Sequence, residues 1–273
     1  MSTNSKLNAD SSSWPSMTFQ AKKHLRLDPS TVYDRQNRIA GFKTESLQDA
    51  TVLGVGAGGL GAFVYPMLMR KGIGELHICD GDVVEASNLN RQHFFATDLY
   101  SSKAKCLARN VSRHSAIGSR VTGHRVDFNC ESADELTDGI DLAYVGVDNN
   151  QTRAFASQYC LERGIPVIFS AVSETADYGW TFIQGVDHPC LGCVFPEAMR
   201  LAESEPRRCT PSPAALDILQ MVGALTLYAM DSALMPEGRN CPWTFRSVSL
   251  TGMVGLDVKA EKDPHCPLCG TQG

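Results

Sequence analysis

The residues best suited to chemistry begin with a glycine cluster, Gly54-Val55-Gly56-Ala57-Gly58-Gly59-Leu60-Gly61, which contains Gly-x-Gly-x-x-Gly from Gly56 to Gly61. Glycines let a backbone turn tightly and approach a phosphate or ribose closely, and the helix that follows offers free N–H groups and the positive end of its dipole. The pattern alone is weak. Here it follows a short β-branched run, Thr51–Val55, and opens a helical stretch, which is the context the motif requires. Gly56, Gly58, Gly59 and Gly61 are therefore candidate nucleotide contacts. Asp80 ends the next apolar run, 24 residues after Gly56, where an acid accepts from ribose hydroxyls. The loop by itself leaves NAD, FAD and ATP open.

The residues downstream narrow the choice. Asp80-Gly81-Asp82 is followed by Ser87-Asn88-Leu89-Asn90-Arg91-Gln92 and then Lys103. Asn, Arg, Gln and Lys suit a triphosphate better than a nicotinamide. Cleavage between the α and β phosphates builds negative charge on pyrophosphate, and fixed Arg and Lys donors stabilise it. Such a reaction needs magnesium, and Asp148 stands just past a later strand, where it could hold the ion. Taken singly, Arg91 and Lys103 also read as solvated charges, and Asp148-Asn149 as a helix cap. Their joint position at the carboxyl ends of parallel strands favours a ligand site.

Cysteines form the other cluster. Cys190-Leu191-Gly192-Cys193 and Cys266-Pro267-Leu268-Cys269 are two Cys-x-x-Cys pairs among ten cysteines. Two such pairs complete a tetrahedral zinc site. With every ligand position filled by sulfur, the zinc would be structural, stapling the C-terminal segment back onto the domain. Redox pairs and free thiols are the alternatives. Cys209 stands apart. Arg207 and Arg208 precede it and a helix start follows, both of which favour thiolate; the alternative is an ordinary loop cysteine.

These residues need elements to hold them. Strands are expected at Thr51–Val55, Glu75–Asp80, Val121–Val126, Ile140–Val147 and Ile165–Ala171, with helices between them at Leu60–Arg70, Ser101–His114 and from the Asp148-Asn149-Asn150 turn to about Arg163. That alternation gives a parallel sheet with helices on both faces. Pro66 should kink the first helix. Beyond residue 172 the character changes. Tyr178–Gln184 and Trp243–Val258 read as antiparallel strands, Glu197–Pro213 as a loop, and Pro213–Met235 as a long apolar helix. The fold class expected is thus α/β: a Rossmann-like, mostly parallel sheet, extended by C-terminal antiparallel strands and a four-cysteine zinc staple. Residues 1–25 read as a disordered tail and 26–273 as one domain, with a nucleotide-binding half at about 26–172 and a substrate-binding and zinc half at about 173–273.

Composition sets outer limits. The 273 residues are 43% hydrophobic, enough for a real core, and the net charge of −5 argues against nucleic acid or an anionic membrane as partner. No stretch approaches a membrane span, and no export signal is apparent, so a reducing cytoplasm is expected.

Taken in order, Tyr33-Asp34-Arg35-Gln36, the Gly54–Gly61 loop, Asp80-x-Asp82, Ser87–Gln92, Lys103-Ala104, Asp148-Asn149 and both cysteine pairs resemble the MoeB/ThiF/HesA family, bacterial relatives of the ubiquitin-activating enzymes. The resemblance runs from about Tyr33 to Gly270. It implies a homodimer that binds ATP and magnesium and adenylates the C-terminal glycine of a small ubiquitin-like or sulfur-carrier protein, releasing pyrophosphate. It implies that Asp80 holds the ribose, that Asn88, Arg91 and Lys103 contact phosphates, that Asp148 binds magnesium, and that Arg35 reaches into the partner subunit's site. Some relatives carry an acylated or persulfidated cysteine where Cys209 lies. The chain departs from the family in Thr210–Leu216, in the absence of a glycine within Leu99-Tyr100-Ser101-Ser102-Lys103, and in Val147 before Asp148. Neither a rhodanese-like domain nor a dedicated catalytic-cysteine domain is expected. A zinc-containing NAD-dependent oxidoreductase, a nucleotide-sensing scaffold, and an enzyme adenylating a peptide or small-molecule carboxylate are the competing readings. The chain does not identify the acceptor.

Overall fold

Short strands with strictly alternating side chains decide the architecture. The computed structural model describes residues 16–20, 27–185, 188–202, 213–252, 257–266 and 268–270. Its strands are β1 (Ser16–Gln20), β2 (Thr51–Val55), β3 (Glu75–Cys79), β4 (Arg120–His124), β5 (Leu142–Val145), β6 (Val167–Val172), β7 (Tyr178–Gln184), β8 (Phe245–Ser249) and β9 (Asp257–Val258). They form one sheet in the order β1-β4-β3-β2-β5-β6-β7-β8-β9. The five central strands are parallel, whereas β1 at one edge and β7, β8 and β9 at the other run antiparallel.

Helices α1 (Pro29–Val32), α2 (Asp34–Asn37) and α3 (Thr44–Gln48) are short turns ahead of β2. The longer helices are α4 (Gly59–Lys71), α5 (Lys103–Ser112), α7 (Asn150–Glu162) and α10 (Leu216–Leu234); α6 (Ala133–Leu136), α8 (Leu191–Val194) and α9 (Pro196–Ala202) lie between them in sequence. Alternation assigns the faces. Val52, Leu76, Ile78, Leu142, Tyr144 and Ile168 point into one core with α4, α5 and α10. Leu53, Val55, Ala143, Val145, Val167 and Phe169 point into the other, with α6, α7, α8 and α9. Both faces are apolar because both are covered, as buried parallel strands require. Among the described residues no helix is long and apolar enough to cross a membrane.

Three local expectations meet the structure here. Residues 16–20, read as part of a disordered tail, form β1, which pairs along its whole length with β4; its alternation is too polar to stand out in sequence, since only one face meets the protein. Residues 1–15 and 21–25 lie outside the described residues. Pro66, expected to kink the first helix, lies inside α4, which runs from Gly59 to Lys71. A proline there forfeits only the bond to the Ala62 carbonyl, and its ring is buried in the core. Finally, Pro196–Ala202, at the start of the expected loop, is helical.

Candidate active site

The sheet reverses its winding between β2 and β5. From β2 the chain proceeds to β3 and β4 on one side, and from β5 to β6 on the other. Open α/β sheets bind ligands in the crevice outside the carboxyl ends of the strands at such a switch point. Here the two walls touch. Gly146 N–H donates to the Val55 carbonyl at 3.0 Å, and a Cβ on Gly56 would lie 3.0 Å from Val147 and 3.2 Å from the Gly146 carbonyl.

Each glycine has its own reason. Gly56 has φ +99°, a left-handed conformation open to glycine. A Cβ on Gly61 would meet the Gly56 carbonyl at 2.5 Å and the Tyr65 ring at 2.7 Å. The Tyr65 hydroxyl donates to that same Gly56 carbonyl at 2.7 Å, which fixes the turn from inside the core. Gly59 faces Leu219 of α10, 2.8 Å from a hypothetical Cβ. Gly58 differs: a Cβ there would meet nothing within 4 Å. Gly58 is also the N-cap of α4, and no side chain caps its first N–H groups. Uncapped helix N–H groups beside open space make an anion site.

Asp80 locks this loop to β3. Its Oδ2 accepts from Ala57 N–H at 2.7 Å and its Oδ1 from Asp82 N–H at 2.8 Å. Burial raises its pKa, while the Ala57 N–H and the Lys103 ammonium oppose the shift. The sequence assigned Asp80 to a ribose; the structure adds a second duty, clamping the glycine turn. Each carboxylate oxygen has a further lone pair for a ligand hydroxyl. Lys103 begins α5, and its backbone N–H donates to the Asp82 carbonyl at 2.9 Å. Its Nζ lies 2.8 Å from Asp82 Oδ2, with the lysine side chain 13% and the aspartate 72% exposed. Asp82 thus holds Lys103 at the mouth of the loop.

The Ser87–Gln92 segment is a helical turn. Buried Asn88 accepts from Glu85 N–H at 2.9 Å and so is committed partly to shaping the turn. Arg91 folds back, its Nη1 donating to the Ser87 carbonyl at 2.6 Å and to Asn90 Oδ1 at 3.0 Å. Gln92 Oε1 is buried without a hydrogen-bond partner. Asp148 is exposed beyond β5, and Asn149 caps α7 by accepting from Thr152 N–H at 2.8 Å. The capping reading therefore holds for Asn149 and leaves the Asp148 carboxylate at the surface. Arg35 is apart from these groups, its side chain 90% exposed and its Nε 3.9 Å from Asp34. Cys209 lies outside the described residues.

The sequence reading missed Arg153. It lies on the first turn of α7, its Nη2 donating to the Val147 carbonyl at 2.6 Å and its Nη1 to Asn150 Oδ1 at 3.0 Å. Burial lowers its pKa to about 10, and the Asp148 charge acts in the opposite sense. The available signal was its spacing, one turn beyond Asp148 on the same helix start.

Four sulfurs meet where Cys190 and Cys193 of the α8 turn face Cys266 and Cys269 of the C-terminal segment. Cys190, Cys193, Cys266 and Cys269 Sγ all lie within 4.8 Å of one another, with Cys190 3.8 Å from Cys193, and Cys190–Cys266 and Cys193–Cys269 both 3.4 Å apart. Tetrahedral zinc with Zn–S near 2.3 Å puts its sulfurs ~3.8 Å apart, so the four residues fit zinc. Backbone N–H groups of Asp263 and Leu268 point at Cys193 and Cys266 sulfurs, each at 3.4 Å, as thiolates would favour.

Comparison with known proteins agrees with this geometry. The ThiF family model matches residues 33–268. A sulfur carrier protein ThiS adenylyltransferase of Bacillus subtilis is 30% identical over 253 residues, covering 88% of this chain and 71% of that protein. A SAMP-activating enzyme E1 of Haloferax volcanii is 31% identical over 234 residues, covering 83% of each. Among solved structures, E. coli MccB with MccA-N7isoASN superposes with a TM-score of 0.72 over 90% of this chain and 76% of that one; at 19% identity the likeness concerns the fold.

Proposed function

The chain belongs to the ThiF family, and from that premise we propose that it uses ATP to adenylate the C-terminal carboxylate of a small ubiquitin-like or sulfur-carrier protein. The observation that carries this reading is the open space over Gly58 at the uncapped start of α4, flanked by Asp80 and by Lys103 held on Asp82. An α-phosphate lies on the helix N-terminus, and the ribose on Asp80. The acceptor carboxylate attacks the α-phosphorus, the bond to the β,γ-pyrophosphate breaks, and acyl-adenylate and pyrophosphate result. Lys103 and Arg91 neutralise charge as it moves onto the leaving group, with Asn88 and Gln92 donating nearby. The Gln92 amide oxygen, buried and unpaired, gains a donor when the site fills. The protein's task is mainly positioning and charge stabilisation.

Magnesium would neutralise the phosphates, and the exposed Asp148 carboxylate is the residue that would hold it. Zinc on the four cysteines ties residues 190–193 to the C-terminal segment. Residues 26–172 form the nucleotide half and 173–273 the acceptor and zinc half of one domain. A second copy completes the site by supplying Arg35, whose high exposure suits a reach outward. The reaction belongs to the cytoplasm, where free thiols and ATP coexist; onward transfer to Cys209 would follow adenylation.

The test supplies ATP labelled at the α-phosphate to the purified chain with each small protein encoded beside its gene. Label transferred to one of them, and lost when its terminal glycine is removed, is the result expected. Label transferred to none, with tight NAD binding, contradicts it.

A further inference from the structure

Beside Asp148 the structure holds a cavity of about 270 Å³. It is lined by Val172 and Trp180 at the end of the β6–β7 hairpin, by Leu191 of α8, by Phe195, by Met199 of α9, and by Arg153 of α7, a helix that starts two residues past Asp148. The volume falls below the ~300–1,000 Å³ of sites for whole small molecules. It suits one large side chain.

The walls are already set. Trp180 and Phe195 stack with ring centroids 4.8 Å apart, and Arg153 lies 5.9 Å over the Trp180 ring. The hairpin rim is tied by Ser173 N–H to the Tyr178 carbonyl at 2.8 Å and by Ala176 N–H to the Ser173 carbonyl at 3.0 Å. Ala176 itself sits at φ +56°, an unusual conformation for a residue with a Cβ. The α8 side is anchored through Cys190, the N-cap of the helix, and Cys193 within it. One donor is left over: Arg153 Nε is buried without a partner. An apolar socket with an unsatisfied buried donor at its edge matches an extended peptide, which brings a side chain and a backbone carbonyl together.

We infer that this cavity receives an apolar side chain of the acceptor's C-terminal tail, a few residues before the terminal glycine, with Arg153 Nε donating to a tail carbonyl. The inference rests on the adenylation reading, which requires an acceptor chain end to arrive beside Asp148. Tails with a leucine or phenylalanine at that position are accepted. An aspartate is refused: Asp148 already offsets the Arg153 charge, burial strips the carboxylate of its hydration, and Glu174 stands exposed on the rim. Arg153 acts here as a positioning residue.

The experiment uses short fluorescent peptides ending in two glycines, on a serine background, with one leucine, phenylalanine, alanine or aspartate at successive upstream positions. Binding to the full chain is read by anisotropy without ATP. At one position leucine or phenylalanine should bind roughly ten- to a hundredfold tighter than alanine, with aspartate weakest. Ala198→Phe and Val172→Phe, which fill the socket from α9 and from β6, should abolish that preference while leaving ATP affinity unchanged. Absence of peptide binding, equal affinity at every position, or a preference that survives both substitutions in folded protein overturns the inference. Wild-type selectivity alone decides should a variant fail to fold. Selective binding without any adenylation would sink the enzymatic reading and keep the socket; adenylation indifferent to the tail residue would do the reverse.

Discussion

At the scale of single residues, one motif serves two purposes that its spelling does not separate. Gly61 is required by the fold, since any Cβ there runs into the Gly56 carbonyl and the Tyr65 ring. Gly58 is not, because its Cβ would stand in open space and its φ of −80° is open to any residue. Gly61→Ala should therefore lower stability by about 1–3 kcal/mol, the usual cost of overpacking, seen as a lower melting temperature. Gly58→Val should melt like the parent and bind ATP at least roughly tenfold more weakly, about 1.4 kcal/mol, by calorimetry. Intact ATP binding in folded Gly58→Val would place the nucleotide elsewhere. The same scale shows what the sequence could not reveal. Asp80 stands out in the sequence as a candidate ribose ligand by its distance from Gly56, whereas its hold on Ala57 N–H depends on β2 and β3 lying in register. Arg153 was overlooked because its spacing from Asp148 marks only its place on the helix, and its burial against Val147 and Trp180 shows only in the fold.

At the scale of elements, β3 and β4 carry a pH-sensitive contact. His77 Nδ1 and His124 Nε2 are 3.0 Å apart, and His77 Nε2 is 3.1 Å from Glu75. Burial, with His77 adding to it, lowers the His124 pKa to about 4. The unfolded chain takes up this proton near the ordinary value of about 6.5, the folded one only near 4. The contribution to stability is therefore complete above about pH 6.5 and is lost as the pH falls through the window towards 4. Melting temperature measured across that range should fall for the parent and fall less steeply for His124→Gln; identical slopes would contradict the assignment. The other element-scale test concerns the zinc staple. Cys266→Ser should reduce bound zinc and melting temperature together, because the ligands hold residues 190–193 to a segment more than seventy positions away. Unchanged zinc stoichiometry by metal analysis would rule out the four-sulfur site. Most elements were legible, since buried parallel strands and glycine-capped helices write strong apolar patterns. Helix α4 shows how packing carries a helix through a proline: Pro66 costs one hydrogen bond, and the buried contacts along α4 outweigh it.

At the scale of the whole molecule, a single sheet joins the glycine loop to the cavity proposed for the acceptor tail. The glycine turn follows β2, Asp148 follows β5 next to it, and the cavity lies past β6 and β7 in the same sheet. Sequence alternation foretold the parallel centre and the antiparallel extension. It missed β1, which joins the far edge by backbone pairing with β4 and leaves little apolar signature. The central claim, that this edge activates a carboxylate with ATP, is tested most directly by ATP–pyrophosphate exchange with the neighbouring-gene proteins, comparing the parent with Asp148→Ala. Exchange should require one such protein and its terminal glycine, and should fall to background in a normally folded Asp148→Ala variant. Full exchange in that variant would contradict the role given to Asp148, and no exchange with any carboxylate while ATP is bound would contradict the claim itself.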